Sequence, residues 1–524
     1  MTRLKRKRLV AWMRLSLGAC LLLALDHPAT AAPLAEDQQP LAVAIHVHSR
    51  ASTGSLSLED IAQRAEQLGL DAVIFTENLA LRYEYGLSPF RGLLRYVREF
   101  PSLIDYGVER YLAELADVQS RHPGVILVPG IEAAPYSYWT GSPWSGDLTL
   151  HDSQKNLLVF GLKDPAQYRL LPANGNPASY QVTAESLMSL ALPPLLVTLA
   201  AVMGMRDRYA IRHGLADRMS RPRLFMIFCI AAVGLVLFRL AWPIGQPPYP
   251  LYESGQGYRP YQQFIDAVRD SGGLVFWSMV EARDHTTHSF GSLGTVTVTT
   301  EPHPEALILT DRHSGFGGLY QEAHRAIQPG EVWDQAIELF LRGERAQPPV
   351  MLGEIAFHNL DHAGKDLHQV LSVVSVRSRT PDALLEAIRT GRHYAVERWK
   401  KEFALRLETF RVECDAGLRS AAMGEVLDPE GQRDLVIRAS VLATDRQAHQ
   451  ITATVIRSGE PLARLSGTTP LNIAISDTTA PAGRWLAYRL LVEGGGELVS
   501  NPVFVGPMPA GDLARIVDRE AVRS

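Results

Sequence analysis

Two apolar stretches in the middle of the chain constrain its folding most. Leu187–Met205, LMSLALPPLLVTLAAVMGM, carries no charge. Leu224–Trp242, LFMIFCIAAVGLVLFRLAW, carries only Arg239, close enough to the end to snorkel to an interface. Each approaches the ~20 residues that cross a hydrocarbon core. The alternative is a pair of buried core helices, but length and the lack of a polar periodicity favour spanning. Pro193-Pro194 would kink the first span without excluding it.

The loop between them holds Arg206, Arg208, Arg212, Arg218, Arg221 and Arg223, and the positive-inside rule sets such a loop in the cytoplasm. The N-terminus is also basic. Its apolar core, Leu15–Leu25, leads to Ala29-Thr30-Ala31, the pattern of a signal peptide over 1–32. An uncleaved anchor is the alternative. Leu17-Gly18-Ala19-Cys20 also has the form of a lipoprotein box, although Arg14 leaves it a short apolar core. Residues 33–186 and 243–524 then lie on the same outer side, so both flanks can build one domain. The expected setting is a bacterial inner membrane, with the main domains facing the periplasm or cell exterior.

The net charge of −4 gives no reason to expect nucleic acid as a partner. Three cysteines, two of them in apolar segments, exclude a disulfide framework and a thiolate zinc cluster.

The flanks alternate strand and helix. LAVAIHVHS (41–49) reads as a strand, with Leu41, Val43, Ile45 and Val47 on one face and Ala42, Ala44, His46 and His48 on the other. Ser57 and Asp60 form a capping box for a helix through Leu58, Ile61, Ala62, Ala65 and Leu68, which stops at Gly69. Asp71–Phe75, VILVPGIE and LLVFGL read as further strands. Beyond the apolar pair come a helix in YQQFIDAVRD, the strands LVFWS and EALILT, a helix over 331–342, the strands VMLGEIAFH and QVLSVVSV, and a helix DALLEAIRT after Thr380-Pro381. This alternation predicts parallel strands in an open sheet or a barrel. His46, His48, Glu77, Glu132 and His358 all fall at C-terminal strand ends, where barrels carry their functional residues. Neutral imidazole with carboxylate suits a divalent metal.

These motifs together resemble the PHP (polymerase and histidinol phosphatase) domain family. More closely, the chain is similar to exported PHP-type metallohydrolases with a C-terminal β-sandwich. The resemblance covers about 44–398 and rests on IHVHS, GLDAVIFTEN, VPGIE, GGLVFWSMVEA, GEIAFH and ALLEAIRTGRHYAV. It implies a distorted seven-stranded βα barrel, which the apolar pair, read as a transmembrane hairpin over 187–242, would divide into parts over 33–186 and 243–400. It also implies divalent metals (zinc, manganese or iron) and hydrolysis of phosphoesters.

By this resemblance His46 and His48 match the first histidine pair, Glu132 the metal-bridging glutamate, and His358 the last histidine. Asp361-His362 is an alternative for that last position. Glu77 and Asn78 stand where the family has aspartate and histidine, Asn156 and Met279 where it has histidines, and Ala356 where it has aspartate. His151 could compensate for Asn156, and His285 or His288 for Met279. The resulting ligand set is His46, His48, Glu77, Glu132, His151 and His358, holding one or two ions. No catalytic residue is assigned. Aromatic residues after Glu132, Tyr138 and Trp139 among them, could stack on substrate or pack the barrel mouth against the membrane interface.

From about 403 short strands separated by Gly, Pro and Asp turns predict an all-β sandwich over 401–510, then a tail, 511–524. The expected function is a membrane-tethered, extracytoplasmic metal-dependent hydrolase. Its expected substrate is a small-molecule or envelope-derived phosphoester. The alternative is a PHP-like module that has lost catalysis and binds or senses at the membrane.

Overall fold

A computed structural model describes residues 38–507, apart from 89–90, 93, 216–219, 241–244, 290–293, 321–323, 361–364, 399–401, 431–433 and 482. The signal segment, the tail and Asp361-His362 lie outside the described residues. In the first flank the strands are β1 (Gln39–Val47), β2 (Ala72–Phe75), β3 (Glu77–Asn78), β4 (Leu81–Gly86), β5 (Arg95–Phe100), β6 (Ile126–Val128), β7 (Gly130–Ala133), β8 (Tyr138–Thr140), β9 (Thr149–His151) and β10 (Leu157–Phe160). The second flank supplies β11 (Leu274–Trp277), β12 (Asp284–Ser289), β13 (Thr295–Thr300), β14 (Gly315–Leu319), β15 (Val350–Gly353), β16 (Val370–Val376) and β17 (His393–Glu397).

Between β1 and β2, helix α1 (Leu58–Gln67) starts at the expected box. The Ser57 hydroxyl accepts from the Asp60 N–H, and the Asp60 carboxylate accepts from the Ser57 N–H. Leu58, Ile61, Ala62 and Ala65 bury its inner stripe.

Strand pairing runs through both flanks and returns to its start. β1 pairs with β2 and β2 with β6, both parallel; β3 pairs parallel with β7. β10 lies between β7 and β11, and β14 and β15 follow. Beyond β15, the Ile355 N–H donates to Ile45 O and the Phe357 N–H to His46 O, each at 2.9 Å, which brings the path back to β1. Not every pair is parallel, as the alternation predicts: β10 is antiparallel to both β7 and β11. No crossover helix is described between β7 and β10, only β8 and β9, so the chain turns back on itself there.

EALILT is a second departure. Ala306–Leu309 is a short helix, and the neighbouring strand is β14, GFGGL. A Cβ on Gly315 would meet Val350 O at 1.8 Å, and one on Gly317 the Glu354 carboxylate at 1.7 Å. The strand is glycine-rich because its neighbours fill the side-chain space, which erases the apolar pattern of a strand.

Inside this ring sits a core of Leu41, Val43, Ile45, Ile74, Phe160 and Phe276, among others. A helix over Pro381–Arg389, capped by Thr380, adds Leu384 and Ile388 to it.

The apolar stretches form two long helices, Ala184–Arg212 and Arg221–Leu240, long and apolar enough to cross a membrane. Neither is a buried core helix, since only 11% and 6% of their most apolar windows are buried. They pack on one another where a Cβ on Gly234 would meet Val197 at 2.8 Å, and the Arg223 Nε pairs with Asp207 at 2.8 Å.

The C-terminal strands make two sheets. Leu405–Cys414, Arg419–Ala422, Leu435–Ala443 and Leu471–Asp477 form one. The others continue the sheet of β1, because Glu497–Ser500 pairs antiparallel with β17. The expected boundary at 400–401 therefore does not break the sheet. Buried Arg489 grips Asp334 at 2.6 and 2.7 Å across the same seam.

Candidate metal centre

Strand alternation places a polar rim above the inner core. Leu158, Phe276 and Leu352 belong to that core. Two residues along the same face of each chain segment stand Asn156, Ser278 and Glu354. Glu132 lies directly opposite Leu158 in the β7–β10 pairing.

β1 reaches the rim by a bulge. Its register with β2 skips His46, whose φ is 73°. Regular alternation would keep Val47 with Leu41, Val43 and Ile45. Instead Val47 packs with Ala44 in the outer core while the other three fill the inner one. The extra residue swaps the faces and re-aims the histidines. Met279 (φ 45°) and Ala356 (φ 48°) are held in the same left-handed region at the ends of their segments. Such backbone concentrates at functional sites.

His46 bridges two carboxylates, with Nδ1 2.7 Å from Glu354 Oε2 and Nε2 3.1 Å from Glu132 Oε1. The Ser278 hydroxyl (2.7 Å) and the Met279 N–H (2.8 Å) donate to Glu354, and Gly317 leaves room for it. Glu132 accepts from Asn78 Nδ2 at 2.7 Å and from Asn156 Nδ2 at 2.6 Å. His48 lies 3.5 Å from Glu132 Oε2 and stacks on His358 at 4.2 Å between ring centroids. Thr53 ties His358 Nδ1 (3.0 Å) to Asn78 Oδ1 (2.7 Å).

Burial opposes every charge here, and neighbouring charges overcome it at His46 and Glu132 but not at His48. Burial alone would lower His46, but Glu132 and Glu354 overcome it and raise its pKa to about 9. Burial would raise Glu132, but His46 and then His48 hold it at about 2. His48 goes the other way: burial, with His358 and His46, outweighs Glu132 and keeps it neutral. Both His48 ring nitrogens are buried without a hydrogen-bond partner.

This set fits a divalent ion. His46, His48 and Glu132 offer ligand atoms within 4.8 Å of one another. Two nitrogens and a carboxylate oxygen form a familiar donor set for zinc and similar metals. His46 also has the usual support of a metal-binding histidine, its far nitrogen held by a carboxylate. A buried imidazole with nothing to bond is costly, and an ion would satisfy it.

Of the other expected ligands, His358 stays beside His48, and Glu77 and His151 lie elsewhere. Glu77 does not join the group. Its carboxylate accepts from the Ser49 N–H and from the hydroxyls of Ser49 and Ser52, because the turn after β1 folds over it. Burial raises its pKa against those bonds. His151 is also outside the group. It stacks on Tyr138 at 4.7 Å and bonds the Thr140 hydroxyl, because β9 belongs to a separate sheet with β8, β12 and β13. His285 and His288 are exposed on β12 of that sheet. Trp139 donates to Glu84 O and meets Tyr85 edge-on, while Tyr138 lies between Tyr136 and His151. On the β11 segment the residue facing Glu354 by its side chain is Ser278, not Met279. Sequence reasoning assigned no site role to Glu354, Ser278 or Thr53; the one signal was the glycine run opposite Glu354.

No family model matches the chain, and no curated protein matches it. Solved structures similar to it include a two-domain protein of Bacteroides vulgatus described as containing a PHP-like metal-dependent phosphoesterase. That likeness has 10% identity, covers 88% of this chain and 95% of the other, and has a TM-score of 0.34. A Bifidobacterium adolescentis protein designated a metal-dependent phosphoesterase shares 13% identity over 62% and 88%, with a TM-score of 0.24. An amidohydrolase of Chromobacterium violaceum shares 14% over 61% and 88%, also at 0.24. At these scores the functional reading rests on the side chains alone.

Proposed function

We propose that the chain is a membrane-tethered, PHP-like metal-dependent hydrolase of phosphoesters, built on a distorted βα barrel with a C-terminal β-sandwich. The observation that carries this is the pair of histidines beside Glu132. One is oriented by Glu354 and the other is buried, neutral and without a partner.

His46, His48 and Glu132 would hold one divalent ion, zinc, manganese or iron. Such an ion acidifies water and polarises a phosphoryl oxygen. Glu354 fixes the His46 ring with Nε2 turned toward Glu132, where it would hold the ion. Thr53 holds His358 against His48. The two long helices would cross the membrane with their arginine-rich loop inside, which leaves the site on the outer face.

One observation favours the alternative of a non-catalytic binding module. Asn78 and Asn156 donate to both oxygens of Glu132, where family members have histidines. The test is turnover of bis-(p-nitrophenyl) phosphate by full-length protein loaded with each metal. Turnover lost in His46→Ala/His48→Ala supports the hydrolase. Metal binding without turnover supports the binding module. For the topology, a reporter active only outside the cytoplasm, fused after residue 214, is expected to stay silent; activity there would invert it.

A further inference from the structure

Above the rim, two sheet faces stand apart around a cavity of about 1520 Å³. One wall is the β4–β5 hairpin. Leu81, Tyr83 and Tyr85 alternate onto its cavity face, and Phe100, Arg98 and Tyr96 are their cross-strand partners. Its other face is polar, with Arg82 paired to Glu84 and Glu99. The opposite wall is the β8–β9–β13–β12 sheet, where Trp139, Leu150, Val298 and Thr286 stand side by side. The volume exceeds the roughly 300–1,000 Å³ of a small-ligand pocket.

Its two ends differ in their surroundings. At the inner end, Thr53 bonds His358 and Asn78, and Gln154 lies 3.3 Å from Asn156, so the cavity floor touches the candidate metal centre. At the outer end it is lined by Leu240, the last residue of the second long helix, whose carbonyl accepts from Arg95 Nε at 3.2 Å. Trp144 and Tyr96 stand at the cavity 84% and 62% exposed, the residue types that settle at a membrane–water interface. Arg95, in the same lining, pairs with Glu84 at 3.2 Å, and Arg98 lies over the Phe100 ring.

We infer that this cavity takes the hydrocarbon chain of a membrane lipid and presents that lipid's phosphoester to the candidate metal centre. The fate of the headgroup rests on the proposed hydrolase; the binding of the chain does not. Each methylene withdrawn from hydrocarbon into water is costly. An apolar wall continuous with a membrane helix avoids that cost. A small hydrophilic ester needs no such wall.

The experiment uses the full chain in lipid nanodiscs doped with a phosphatidylglycerol whose acyl chain ends in a diazirine. Photolysis and peptide mapping should place crosslinks on Leu150, Val296 and Val298, in the presence of EDTA as in its absence. Crosslinks confined to the two long helices would overturn the inference. Val298→Arg sets a guanidinium in the apolar wall and should cut this labelling about tenfold. Trp144→Ala, at an exposed position that tolerates change, should reduce it as well; unchanged labelling in both variants would overturn the inference. Cavity labelling without turnover of any ester would remove the hydrolase and leave the lipid site standing. Turnover of soluble esters without cavity labelling would do the reverse.

Discussion

Among the described residues, two groups of histidine and glutamate could hold an ion, one buried throughout and one half-buried, and they behave differently. His46, His48 and Glu132 lie above the inner core. His324, Glu397 and Glu497 lie at the seam where β17 meets the C-terminal strands. In both, the ligand atoms fall within 4.8 Å of one another. At the seam, His324 Nδ1 bonds Glu497 at 2.8 Å and its Nε2 meets the backbone of Tyr320. No ring nitrogen is left over, so the group reads as a strut between segments distant in sequence. Above the core, both nitrogens of His48 lack a partner. The contrast lies in the histidines: His48 has no hydrogen-bond partner and His324 has two, while at the seam the unpartnered atom is Glu397 Oε1.

Substitutions can break or sharpen that contrast. The largest effect belongs to the seam. Arg489→Met strands the Asp334 carboxylate in the interior and should lower stability by about 3–5 kcal/mol in denaturant melts. Next, His324→Ala unpairs two carboxylates and should cost about 2–3 kcal/mol without changing metal content. By contrast, His48→Leu removes an imidazole that bonds nothing and should leave the EDTA-treated chain as stable as before, or more so. A clear destabilisation there would erase the distinction.

The seam also predicts a pH dependence. Burial raises the Glu397 carboxyl to about 7, with His324 opposing and Glu497 adding to the shift. The folded chain then holds this proton more tightly than the unfolded one. The group's stabilising contribution is complete below about pH 4.5 and fades as pH rises through about 7. Glu397→Gln should therefore stabilise the protein at pH 8 by on the order of 2 kcal/mol and change little at pH 4. Equal shifts at both pH values would contradict this.

Much of the fold was legible because alternation and capping are local. Ser57 and Asp60 mark the first helix, and the apolar runs mark β2, β10 and β11. β14 was not, because its side-chain space belongs to Glu354 and Val350. At the site, His46, His48 and Glu132 could be named from their positions at strand ends. The bulge that brings the histidines to the rim could not, since nothing local distinguishes His46 from a regular strand residue. Glu77 misled because a carboxylate at a strand end looks the same whether two serines or a metal will satisfy it. Glu354 went unassigned because its role depends on Ser278 and Gly317, far away in sequence.

His46, His48 and Glu132 are expected to hold a metal. The direct measurement is the metal content of the purified full chain, by mass spectrometry after loading and exhaustive dialysis, beside His48→Ala and His324→Ala. The expected result is one divalent ion per chain in the wild type and in His324→Ala, and none in His48→Ala. A metal-free wild type, or a His48→Ala protein that keeps its metal, would contradict it.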